Sequence, residues 1–365
     1  VINMSVGEPD FMTPAPIKEA GKKAIDDNFS KYSPVPGYPA LRNAISKKLK
    51  AENGLDYAAS EIIVGTGGKQ GVCNAIMALV NPGDEVIVPA PYWVSYPQMV
   101  KLAGGNPVII SAGIEQDFKI TAAQLEASIT PKTKMIILCS PSNPTGSVYT
   151  KAELDELAKV VSSHKDVFVL SDEIYEHINY IGKHASIAAC PNMKERTIIC
   201  NGVSKAYAMT GWRLGWVAAP EWIVKGLNKL QGQYTSGTSS VSQMAALAAY
   251  EGDQQCVEDF RKAFQRRRDL IVNLAKDIPG LDVNIPQGAF YLFPKCSSFF
   301  GKSNGKYTIN NSTDLAMYLL EEGHVATVGG DDFGSPDCFR MSYATSDNNI
   351  KEALQRIKDA LSKLK

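Results

Sequence analysis

Lys205 has the setting that most suggests chemistry. A short β-branched run, Thr197-Ile198-Ile199-Cys200, reads as a buried strand. It leads into a small-residue turn, Gly202-Val203-Ser204, then Lys205, with Arg213 downstream and a second strand from Gly215 to Ala219. An amine forms an imine only when it is neutral part of the time, and desolvation or a nearby cation moves a lysine toward that state. Ser204 offers a hydroxyl and Arg213 a bidentate fork, which together suit a phosphate. The stretch points to a Schiff-base lysine beside a phosphate pocket. Seen alone, a lysine is more often a solvated surface residue.

Other candidates sit where strands are expected to end. Glu61 to Val64 reads as a strand, and Gly65-Thr66-Gly67-Gly68-Lys69-Gln70 then opens a helix to about Val80. A glycine turn into a helix N-terminus is a ready anion site, although the P-loop spacing is absent. Lys134 to Cys139 is a buried strand running into Ser140-Pro141-Ser142-Asn143-Pro144-Thr145-Gly146, a turn that aims Asn143. Val167 to Leu170 is another, followed by Asp172 and Tyr175. Open α/β sheets keep their ligands at such strand ends. Arg340 lies inside an apolar strand, Phe339 to Tyr343, where a charge is costly unless paired, and a carboxylate held bidentately is its natural partner.

The elements between these points alternate. Helices are expected from Thr13, as N-cap, to about Asn28, from Gly37 to a C-cap at Gly54, and from Thr150 to Ser163. A strand from Glu85 to Val88 precedes Pro91-Tyr92-Trp93, which opens a further helix. Alternating strands and helices from Glu61 to Ala219 imply a mostly parallel, covered sheet. Beyond it the chain is helical, Ser239 to Glu251 and Glu258 to about Ile278. From Leu281 the composition changes to short strands (Asp282 to Ile285, Ala289 to Phe293, Val325 to Val328, Phe339 to Tyr343) with helices at Ser312 to Glu322 and Asp347 to Leu364.

Taken together, S-K-x-x-x-M-T-G-W-R-x-G from Ser204 to Gly215, N-P-T-G from Asn143, D-x-x-Y from Asp172, G-A-F-Y from Gly288 and R-x-S-Y-A-T from Arg340 resemble the class I/II aminotransferases of fold type I. Those enzymes use pyridoxal 5'-phosphate. The chain is most similar to the bacterial aspartate aminotransferases of subgroup Ib, from Gly7 almost to the C-terminus. The resemblance implies an α/β large domain with a mostly parallel sheet covered by helices, plus a smaller α+β domain. It implies an N-terminal segment, residues 1–29, packed with the small domain, a large domain over 30–255 and a small one over 256–365.

The resemblance also implies roles. Gly67, Gly68, Lys69, Ser204 and Arg213 would hold the cofactor phosphate, with Tyr32 reaching across from the partner subunit. Trp93 would stack on the pyridine ring and flank the substrate. Asp172 would face the ring nitrogen, and Asn143 and Tyr175 the ring oxygen. Lys205, Asp172 and Tyr175 would be the catalytic set. Gly7, Asn143 and Arg340 would meet the substrate carboxylate, and Lys69 a distal carboxylate. Aspartate and 2-oxoglutarate are the implied substrates. Aromatic or prephenate specificity, a carbon–sulfur lyase on the same fold, and the effector domain of a regulator remain as alternatives.

Composition bounds the rest. The chain has 365 residues, with 44% hydrophobic and 21% charged, ordinary for a globular protein and long for one core. Its 38 basic and 38 acidic residues cancel, which argues against a nucleic-acid partner. The one dense basic run, Arg266-Arg267-Arg268, reads as a solvated helix face or subunit contact. Seven scattered cysteines without a C-x-x-C fit reduced thiols in a cytoplasm, and four histidines without ligand spacing predict no metal. No run reaches membrane-spanning length and no secretory signal is read, although the chain opens on Val1. A homodimer acting on small amino and keto acids is expected.

Overall fold

The computed structural model describes residues 1–365. Seven strands form the main sheet. In chain order they are β1 (Ile62–Gly65), β2 (Glu85–Ala90), β3 (Asn106–Ser111), β4 (Thr133–Cys139), β5 (Phe168–Asp172), β6 (Thr197–Gly202) and β7 (Gly215–Ala218). In space they run β1-β7-β6-β5-β4-β2-β3. Every pairing is parallel except those of β7, which is antiparallel to both β1 and β6. The mostly parallel, helix-covered sheet expected above is thus present. β3 and the helices Ala122–Ser128 and Glu221–Tyr234 complete it.

Both faces are buried because successive side chains on a strand point opposite ways. On β6, Ile198 joins one apolar cluster with Val72, Ile76, Met135 and Leu170, while Ile199 joins another with Leu41, Ile45, Val64 and Trp216. On β4, Ile136 and Leu138 turn to a third, against Leu154, Leu157 and Val161. A two-sided core explains why these strands read as continuous apolar runs.

A separate apolar cluster gathers Phe264, Ile271, Phe290, Leu319, Phe339, Ile357 and Leu361 with Met4 from the start of the chain. A small antiparallel sheet, Val328–Gly329, Phe339–Ser342 and Tyr291–Leu292, carries Arg340. Ile2–Asn3 pairs in parallel with Val325–Ala326. Helices Gln255–Lys276 and Asp347–Leu361 cover this part.

Several local expectations need correction. Thr13 does not cap the first helix, which is Ala15–Asp26 with Pro14 at its N-cap position. The Thr13 hydroxyl instead donates to the Ala208 carbonyl at 2.7 Å, so a distant loop outcompetes the cap. Asp282 to Ile285 forms no strand; only Asp282 bridges Lys295. Val325 to Val328 is split, because its two halves pair with different partners. Helix Pro39–Lys48 ends in a π-helical turn, Leu49–Asn53, and Gly54 closes it at φ +69°, as read.

The edge where β1, β2, β4, β5 and β6 end, and where β7 begins, is tightly drawn together. A Cβ on Gly215 would lie 2.3 Å from the Gly68 nitrogen and 2.5 Å from the Gly67 carbonyl carbon. These are backbone atoms, so neither can swing away. Gly215→Ala is expected to destabilise the fold by ~1–3 kcal/mol, the usual cost of overpacking. It should also loosen the Gly67-Gly68 turn. Urea unfolding checks this: the midpoint should fall while the slope stays constant.

Candidate active site

A cavity of about 640 Å³ opens at this edge. Gly7, Gly68, Lys69, Trp93, Asn143, Asp172, Tyr175, Ser204, Lys205, Arg213 and Arg340 all line it. The turn after β1 supplies Gly67 at φ +79° and starts helix Gly68–Leu79, whose first N–H groups have no intrahelical acceptor. A Cβ at Gly67 would sit 2.4 Å from Arg213 Nη2, so only glycine lets the guanidinium reach that turn. Arg213 itself sits at φ +54° and donates through Nη1 to the Thr210 carbonyl at 2.8 Å.

The end of β5 presents Asp172, only 7% exposed. Its Oδ2 accepts from the Tyr96 hydroxyl at 2.7 Å and its Oδ1 from the Ile174 N–H at 3.2 Å. Burial pushes the Asp172 carboxyl up to about 6, while the Tyr96 and Ile174 bonds and the Lys205 charge hold it down. The chain behind it is anchored by buried polar groups: Glu173 accepts from Ser171 and Ser186 at 2.9 and 2.6 Å, and Glu176 pairs with Lys48 and accepts from Asn201 at 2.8 Å.

Lys205 follows the turn after β6. Burial lowers its ammonium from 10.5 to about 8, with Glu8 opposing and Arg340 assisting. Its Nζ donates to the Gly7 carbonyl at 2.5 Å and lies 5.7 Å from the centre of the Tyr175 ring. The Tyr175 hydroxyl shares a 2.7 Å hydrogen bond with that of Tyr291.

Arg340 is 7% exposed and has no acidic partner in ion-pair reach. It donates to Asn143 Oδ1 at 2.8 Å and to the Ser5 carbonyl at 2.5 Å, and its buried Nε has no partner. Its guanidinium lies 4.6 Å from the Tyr291 ring centre and 5.0 Å from that of Phe333. Lys69 holds its Nζ 4.8 Å from the Trp93 ring centre. Tyr32 stands apart, 99% exposed, in a surface hollow with Phe29, Ser33 and Thr238. Within one chain it does not join the cavity.

Sequence reading missed several residues that the fold brings in. Tyr96 falls just after Trp93, and Tyr291 closes the G-A-F-Y run, but nothing in their local pattern said that they would meet Asp172 and Tyr175. Glu8 and Thr210 hydrogen-bond each other at the cavity, in stretches noted for Gly7 and Lys205. Asp332 and Phe333 carried no signal.

The residues present fit pyridoxal phosphate. An unpartnered guanidinium nitrogen, a glycine cradle against Arg213, a helix N-terminus and a partly neutral lysine face one cavity with a buried carboxylate.

Comparison with known proteins agrees. The profile of the family described as aminotransferase class I and II matches residues 1–357. A Petunia hybrida protein named bifunctional aspartate aminotransferase and glutamate/aspartate-prephenate aminotransferase is 49% identical, over 100% of this chain and 77% of its own length. The crystal structure of the aspartate aminotransferase from Rhizobium meliloti superposes with a TM-score of 0.97 at 46% identity, covering 100% of this chain and 92% of that one. The Thermus thermophilus aspartate aminotransferase with maleate gives 0.92 at 40% identity, covering 99% and 91%. In sequence and in fold, this chain belongs to the class I and II aminotransferases.

Proposed function

We propose that the chain is a pyridoxal-phosphate-dependent aspartate aminotransferase, transferring the amino group of L-aspartate to 2-oxoglutarate and yielding oxaloacetate and L-glutamate. One observation carries this reading. Lys69, Lys205, Arg213 and Arg340 line one cavity, and none has a carboxylate within ion-pair distance. Arg340 is buried and Lys205 half-buried, and cations so placed without counter-ions are stabilised by anionic ligands, while Lys69 and Arg213 are exposed and free to meet one. A phosphate and a dicarboxylic amino acid together supply those anions.

The cofactor would supply an aldehyde to hold the amine and a protonated ring that withdraws electrons from the substrate Cα. Gly67, Gly68, Ser204 and Arg213 would hold its phosphate at the helix N-terminus. The Asp172 carboxylate would keep a proton on the ring nitrogen. Tyr175 and Asn143 would hydrogen-bond the ring oxygen, and Trp93 would cover the ring. Arg340 grips the substrate α-carboxylate, with Asn143 holding its guanidinium in place. Lys69 meets the distal carboxylate. Lys205 Nζ, neutral in part near pH 8, takes the proton from Cα and returns it.

The active form is proposed to be a homodimer with Tyr32 completing the partner's phosphate site, which accounts for its exposure in one chain. Residues 1–29, 30–255 and 256–365 are the proposed divisions, and helix Gln255–Lys276 begins at the last boundary. Its cysteine pattern fits a reducing cytoplasm, and no helix is long and apolar enough to cross a membrane. A second acceptor, prephenate, is favoured by the same charges: it is a keto acid with a second carboxylate, and Val328 and Phe333 line an apolar wall for its ring. The Petunia relative is named for that activity.

Absorbance spectroscopy tests the reading. Aspartate should convert the lysine-bound cofactor band to that of the amine form, and 2-oxoglutarate should restore it. Release of pyruvate and ammonia from a cysteine conjugate without a keto acid would instead identify a lyase. Lys205→Ala should abolish turnover and the lysine-bound band while circular dichroism stays native. Lys69→Ala should lower kcat/KM for aspartate roughly tenfold to a hundredfold, as loss of a charge-assisted bond does, and leave alanine much less affected. Equal losses would confine Lys69 to the phosphate. Uptake of pyridoxal phosphate by the cofactor-free protein should accelerate with pH with a midpoint near 8, because the reacting amine is the neutral form; a midpoint at 10.5 would show that burial does not tune it.

A further inference from the structure

Tyr96 belongs to none of the motifs, yet it makes the shortest hydrogen bond to the buried acid of the site. It lies in the first turn of helix Ser95–Leu102, is 2% exposed, and places its hydroxyl 2.7 Å from Asp172 Oδ2. No other side chain donates to Asp172; the second bond comes from the Ile174 backbone. The Tyr96 N–H donates to the Trp93 carbonyl at 3.0 Å, and the two rings meet edge to face, 5.3 Å between centres at 86°. The short stretch from Trp93, just before the helix, to Tyr96 in its first turn thus carries the aromatic face proposed to cover the cofactor and the hydroxyl that holds the acid proposed to face its nitrogen.

We infer that Tyr96 is a positioning residue, holding Asp172 in one rotation and as an anion against the cofactor's ring nitrogen, an inference that rests on the cofactor reading above. A carboxylate in an apolar setting stays ionised only if donors or cations face it. The groups around Asp172 are few. Lys205 helps as a cation, Glu173 opposes as an anion, and the thiols of Cys139 and Cys200 are pushed up by burial. Tyr96 is the strong neutral donor among them. Burial and the Asp172 charge push its own hydroxyl well above the ordinary value, so it remains a donor throughout the working range. With one oxygen engaged by Tyr96 and the other by Ile174, the carboxylate plane is fixed.

The experiment is a pH titration of the holoenzyme's visible absorbance, wild type against Tyr96→Phe, with kcat and KM for aspartate. Phenylalanine keeps the packing and removes only the hydroxyl. With a weakened Asp172 anion the ring nitrogen loses proton occupancy and withdraws less charge, so the lysine-bound chromophore keeps its own proton to higher pH. The titration midpoint should rise by about one unit. The kcat should fall roughly tenfold, with KM changed far less. In an Asp172→Asn background, Tyr96→Phe should shift the midpoint no further, because the two act through one bond. A Tyr96→Phe titration that superposes on wild type, or a shift that persists in Asp172→Asn, overturns the role of Tyr96 while leaving the cofactor reading intact. A wild type that gains no absorbance band with pyridoxal phosphate overturns that reading, and this inference with it.

Discussion

The cost of burying charge governs this structure. Asp172, Lys205 and Arg340 are all withdrawn from water, and none is neutralised by an ordinary ion pair. Each is left partly unsatisfied. The carboxyl is driven toward neutrality and the ammonium likewise, while the arginine keeps a nitrogen without an acceptor. Such a site is expensive when empty and favourable when an anionic ligand with a basic ring nitrogen fills it. Binding energy and chemical readiness therefore have the same source.

The backbone absorbs part of that cost. The first residues of the chain run through the site and offer carbonyls where side-chain acids are missing. Ser5 accepts from Arg340, Gly7 from Lys205, and Met4 from the Ser342 N–H. The same segment is pinned to helix Gln255–Lys276, where Arg267 holds both oxygens of Asp10 at 2.6 and 2.9 Å. Residues 4–13 thereby connect the sheet that carries Lys205 to the part that carries Arg340.

Glycine serves the site by absence of bulk. At Gly67 and Gly215 the backbones of a helix start and a strand start approach within the space of one methyl group. That approach delivers the guanidinium of Arg213 to the first turn of helix Gly68–Leu79. Gly7 does the same on the other wall, where a Cβ would lie 2.4 Å from the Tyr291 hydroxyl.

Much was legible in the chain alone. Strand runs buried on both faces are apolar throughout, so β4, β5 and β6 announced themselves, and the polar residues at their ends stood out against them. The lysine stretch, Asn143, Asp172 and Arg340 were visible for that reason. What failed were features decided at long range. Thr13 has the chemistry of a cap, but the Ala208 carbonyl competes for its hydroxyl. The short strands near Asp282 and Val325 depend on partners far along the chain, and β3 alternates too weakly to read. Tyr96 and Tyr291 are ordinary apolar-looking tyrosines until folding sets their hydroxyls against Asp172 and Tyr175. Residue type and local spacing determined which groups could do chemistry. Only the tertiary structure decided which groups stand beside them, because hydrogen bonds and desolvation depend on proximity in space, and a strand end does not record what packs against it.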